Sequence, residues 1–140
     1  MATLAVVADD VHPATLNSTK PIQELVKFGG TFTRGQVVAK QTSGDKLYIA
    51  VKTGTANIDW TTAGIAVTGG VINEWGVIER RAVNLGVTLD NSAPYYVSTT
   101  SEGDIVVWAD LSALDPIIIV GQPASSAVMA LSLENTGLTK

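Results

Sequence analysis

The 140-residue sequence contains no cysteine and a single histidine. Without cysteine there is no disulfide framework, no thiolate nucleophile and no thiolate metal ligand. The lone His12 stands beside Asp9 and Asp10 and ahead of Pro13. That setting reads as a solvated turn, and neither a metal site nor a His-based triad can be assembled from one imidazole so placed. Charge is scarce too, at 16% of residues against about 25% in ordinary globular chains. Nine basic residues against 13 acidic ones give a net charge of −4 and a pI near 4.7. The clustered Lys and Arg that a phosphate backbone demands are missing, so nucleic acid is not an expected partner. No run of 18 apolar residues occurs, which excludes a helical membrane span. The first ten residues lack a basic segment, so no secretory signal is expected. Phosphate-binding and dinucleotide glycine motifs are absent, and no cofactor, metal or small-molecule substrate is expected.

The sequence is rich in β-branched residues: 17 Val, 10 Ile and 16 Thr. These side chains lose rotamer freedom in helices and pack well on pleated sheets. From Gly29 onward, turn signals recur about every ten residues, the spacing of a sandwich or small barrel. Leu47, Ile49 and Val51 alternate with Tyr48, Ala50 and Lys52, the period of a half-buried strand. Residues 57–60 and 64–68 read as two paired strands. Residues 71–80 read as one strand with a bulge at Gly76. Residues 117–120 form a continuous β-branched run suited to a strand covered on both faces, and residues 128–133 alternate as a strand that closes the sheet. Only residues 110–114, stopped by Pro116, suggest a helical turn. Two parts follow: an N-terminal arm over residues 1–28 and an all-β domain over residues 29–140. Within the arm, residues 21–28 fit a short helix or a strand equally well. An apolar arm of this kind docks on a core or a neighbour.

Catalytic chemistry finds little support. Asp45, Asp90, Asp104, Asp110 and Asp115 fall at turns, where Asp bonds its own backbone. Glu74 and Glu79 flank Trp75 and are the best candidates for a carboxylate pair, as in a small hydrolase. An unbulged strand puts them on opposite faces, although a bulge at Gly76 would change that. Trp60, Trp75 and Trp108 suggest an aromatic platform for sugars, although scattered aromatics more often fill cores and contacts. Glu79-Arg80-Arg81 is the densest charge cluster and reads as an interface anchor or a blunted strand edge. Ile22, Leu25 and Phe28 in the arm, with Trp75, Arg80 and Arg81, are the candidate interface residues.

Residues 35–137 carry a longer pattern. It opens with Gly35-Gln36-Val37-Val38, continues through Leu47-Tyr48-Ile49-Ala50 and Gly64-Ile65-Ala66-Val67-Thr68, and is densest at Tyr95-Tyr96-Val97-Ser98-Thr99-Thr100-Ser101-Glu102-Gly103-Asp104-Ile105. Ala109-Asp110-Leu111, Val120-Gly121-Gln122-Pro123-Ala124 and Leu131-Ser132-Leu133-Glu134-Asn135-Thr136-Gly137 complete it. This progression resembles the small phage capsid decoration (cement, or head-stabilising) proteins. The arm and the Arg80-Arg81 pair lie outside the pattern. The resemblance implies a compact β-tulip domain, a small barrel or sandwich, that sits on the outer face of a virion shell. It further implies a major capsid protein as partner, a homotrimer, assembly in the host cytoplasm and no catalytic residue. The alternative is a carbohydrate-binding β-sandwich module using exposed Trp and Tyr.

Overall fold

The computed structural model describes residues 3–16 and 20–140. Eleven strands are formed: β1 (His12–Pro13), β2 (Gln23–Lys27), β3 (Val37–Gln41), β4 (Tyr48–Ala50), β5 (Ile58–Ala66), β6 (Trp75–Glu79), β7 (Ala82–Asn84), β8 (Tyr95–Val97), β9 (Ile105–Val106), β10 (Pro116–Pro123) and β11 (Val128–Thr139). They make two antiparallel sheets, one ordered β1-β7-β11-β10-β8-β9 and the other β2-β6-β5-β3-β4. The only helical elements among the described residues are two 3₁₀ turns, Ala8–Asp10 and Trp108–Asp110. The all-β reading holds, and a sandwich is consistent with it; a closed barrel is not formed.

The main core lies between the sheets. Val37, Ala39 and Ile65 from one sheet meet Val83, Ile118, Val120 and Met129 from the other, all within one contiguous buried cluster. Strand β10 is covered on both faces, as its unbroken apolar run predicts. Ile118 and Val120 point to the main core, while Ile117 and Ile119 pack outside it on Tyr96, Val106 and Leu111.

The five-stranded sheet curls. Its two edge strands approach each other at one backbone bridge, Phe28 with Tyr48, where the Gly29 amide donates to the Tyr48 carbonyl at 2.8 Å. Inside the curl is a second core of Val26, Phe28, Phe32, Val38, Tyr48, Ala66 and Ile78. Phe28 and Phe32 stack with centroids 3.6 Å apart. Beside the bridge, Arg80 closes the seam. Its Nη1 donates to Glu24 at 2.8 Å, and its Nη2 donates to the Tyr48 hydroxyl and the Thr62 carbonyl at 3.0 Å each.

Several expectations need correction. The described residues of the arm are woven into both sheets: β1 pairs with β7, and β2 pairs with β6 over its whole length. The choice between helix and strand at residues 21–28 resolves as strand. Residues 58–66 form one strand, not the end of one and start of another. Gly76 is no bulge, because Val26 to Gly76 lies in unbroken register. It is glycine because a Cβ there would stand 2.7 Å from Phe32 and 2.8 Å from Phe28. Strand β11 lies between β7 and β10 instead of closing an edge. The helical turn falls at Trp108–Asp110, two residues earlier than expected.

Candidate interaction surface

Nine large hydrophobic side chains are exposed among the described residues, and most fall in two groups. The first lies on β2, β6 and the turn before β6. Leu25 stands opposite Val77, and Lys27 opposite Trp75, so all four share the outer face of the curled sheet. Directly opposed and diagonal residues on one face of an antiparallel pair are close enough for aromatic and long side chains to touch. Val77 packs against the main core, but Leu25 and Trp75 are 63% and 62% exposed. Val71 and Ile72 are exposed in the turn before β6, and Ile22 is exposed just ahead of β2.

The second group surrounds the 3₁₀ turn of the other sheet and consists of Trp108, Leu114 and Leu138. Lys140 pins this region. Its ammonium donates to the Trp108 and Leu111 carbonyls at 2.8 and 2.6 Å and lies 5.0 Å from the Trp108 ring centroid. The Tyr96 ring backs Trp108 at 5.6 Å. The Leu114 amide donates to the Lys140 carbonyl. Leu114 is 80% exposed and holds a φ of 73°. The left-handed region costs a bulky residue on the order of 1–2 kcal/mol, and no burial within the chain offsets it. Nothing in the sequence announces this backbone conformation, and the second group was not foreseen as an interface.

The expected interface residues separate on inspection. Trp75, Leu25 and Ile22 are on the surface. Phe28 is fully buried in the stacked pair and offers no face to a partner. Arg80 is committed to the seam, with its side chain 28% exposed in the ion pair. Arg81 lies where the chain crosses from β6 to β7, and so from one sheet to the other. Its amide donates to Glu79, and its carbonyl accepts from Leu131. The charge cluster thus lies at a sheet-crossing corner.

The carboxylate pair takes on other duties. Glu79 has no exposed surface, and its Oε2 accepts from the amides of Ile22 at 2.9 Å, Arg81 at 2.8 Å and Ala82 at 3.3 Å. Glu74 accepts from the Val71 amide at 2.6 Å and fastens the turn. His12 is exposed, its Nδ1 donating to the Pro13 carbonyl. No group of three potential metal ligands exists among the described residues.

The three tryptophans lie apart and form no common platform. Trp60 lines a groove of about 200 Å³ with Thr61, Leu133, Glu134 and Asn135, between β5 and β11. A groove of about 280 Å³ lies beside the segment from Leu4 to Ala8, with Arg34 and Asp104 on its wall. Desolvation raises the Asp104 carboxyl above its ordinary value. Against known proteins, the chain matches no family model, and no curated protein or solved structure is significantly similar to it.

Proposed function

We propose that this chain is a structural protein of a phage virion. It decorates the outer surface of the shell formed by the major capsid protein, as a homotrimer, and stabilises the head. The reading rests on the pattern over residues 35–137. The observation that carries it is the placing of exposed apolar side chains. They stand on convex strands and a pinned turn, whereas the grooves are shallow. Large apolar groups concentrated in this way mark surfaces made for other proteins. Low charge supports the same conclusion, since interface cores are depleted in charged residues.

Empty shells assembled from the major capsid protein of the same virus provide the test. Added protein is expected to sediment with the shells and to raise the temperature at which they fall apart. Shells that neither retain the protein nor gain stability would remove the decoration reading.

The Trp60 groove favours a second reading, a carbohydrate subsite. An indole flanked by a carboxylate, an amide and a hydroxyl is a set suited to a sugar ring. Quenching of tryptophan fluorescence by oligosaccharides, lost on Trp60→Ala, would support it; unchanged fluorescence across a glycan panel would discard it.

A further inference from the structure

We infer that the groove beside the segment from Leu4 to Ala8 binds a small zwitterion with an apolar body, an α-amino acid. The Arg34 guanidinium receives its carboxylate and the Asp104 carboxylate its ammonium, while Leu4, Val6 and Ile105 face its side chain.

The two charges on this wall are opposite, and neither is neutralised within the chain. Arg34 is half-buried, and no carboxylate lies within ion-pair distance of it among the described residues. Its Nη2 donates to the Val11 carbonyl, which fixes the side chain and leaves its charge intact; its Nε is buried without an acceptor. Asp104 is half-buried as well, and no cation pairs with it among the described residues. Asp at a turn ordinarily bonds nearby backbone. Here the turn is fastened instead by the Ser98 hydroxyl, which accepts from the Thr100 and Ser101 amides at 3.1 Å each. The Asp104 carboxylate is left to the groove, and burial alone acts on it. A charge kept in a cleft at a cost to stability, with no duty inside the chain, marks a site for something outside it.

The frame that holds these charges is fixed. The Leu4 amide donates to the Ile105 carbonyl at 2.8 Å, and the Val7 amide to the Leu85 carbonyl at 3.1 Å. Between them Val6 sits so close to the chain that a Cβ on Gly35 would stand 2.4 Å from it. A volume of about 280 Å³ falls just short of the roughly 300–1,000 Å³ of drug-sized sites, so the ligand is small and weakly held. A plain anion would set its charge against Asp104, and a plain cation against Arg34. A ligand of both signs satisfies both.

Titration of the full chain at neutral pH, followed by amide NMR shifts, tests it with three probes. L-leucine carries both charges, isocaproate is leucine without the ammonium, and isopentylamine is leucine without the carboxylate. Leucine is expected to move the Gly35, Gly103 and Ile105 amides and to saturate in the millimolar range. Each half-ligand is expected to bind about tenfold more weakly, because a charge-assisted hydrogen bond is lost. Asp104→Asn should weaken leucine and isopentylamine by a similar factor, leave isocaproate unchanged and melt at a higher temperature. Arg34→Gln should weaken leucine and isocaproate and spare isopentylamine. If circular dichroism shows that Arg34→Gln does not fold, Asp104→Asn decides the matter alone. The inference is overturned if leucine gives no saturable shifts, if the half-ligands bind as tightly as leucine, or if Asp104→Asn binds leucine as wild type does. None of these outcomes depends on shell binding, so the decoration reading stands or falls separately.

Discussion

Glu79 and Asp104 are two carboxylates that the fold treats in opposite ways. Glu79 is sealed from water, but one of its oxygens satisfies three backbone amides at the start of β2 and at the crossing into β7. Truncation would leave those donors without an acceptor, at about 1–3 kcal/mol for each buried one. Glu79→Ala is therefore expected to lose roughly 3 kcal/mol or more in urea denaturation; a loss under about 0.5 kcal/mol, the range of an ordinary surface change, would contradict this role. Asp104 has no such partners, and burial alone raises its carboxyl. The folded state then binds the proton more tightly than the unfolded chain does. Its unfavourable contribution is absent below the ordinary value of 3.8 and grows as pH rises through the raised folded one. Asp104→Asn should accordingly raise the melting temperature at neutral pH, with the gain fading in acid. A gain independent of pH would assign the effect to something other than the charge.

Among the elements, the seam of the curled sheet depends on few contacts. One backbone bridge and the Glu24–Arg80–Tyr48 group join β2 to β4. The Tyr48 hydroxyl is raised by burial first and by the Glu24 carboxylate second, with Arg80 opposing both. Arg80→Met keeps much of the packing and removes four hydrogen bonds to Glu24, Tyr48 and Thr62. Amide exchange at Gly29, whose proton spans the bridge, is expected to accelerate on that change more than exchange at Val37 in the main core. Equal exchange at both amides would show that the seam does not depend on Arg80. The sequence made these strands recognisable but not their partners. Alternation at residues 47–52 and the β-branched run at 117–120 were legible because burial writes a period into composition. The continuity of β5 was not, since Gly64 reads as a break. It is there because a Cβ would meet the Glu79 carbonyl at 2.9 Å. Similarly, Trp75 and Leu25 could be named as surface candidates, whereas Phe28, equally apolar and nearby, could not be told apart until the stack on Phe32 was visible.

For the molecule as a whole, the decisive question is whether residues 1–28 can be separated from the rest. Composition suggests an arm, and an arm can be removed without cost to the core. The strand pairing argues otherwise. Val11 and Phe28 have no exposed surface, Val26 has 4%, and they belong to the two main clusters. Burying a side chain of this size contributes about 1.5–3 kcal/mol, so the three together supply roughly 5–9 kcal/mol. That is comparable to the whole stability of a typical domain, about 5–15 kcal/mol. Their loss would also open Phe32 and Ile78 to water and leave β6 without its outer neighbour. A chain of residues 29–140 is therefore expected to show no cooperative thermal transition, and to bind a dye specific for exposed apolar surface. If it melts cooperatively within a few degrees of the full chain, β1 and β2 are accessories to the fold. In that case residues 1–28 would be an appendage free to engage a neighbour, as the composition first suggested.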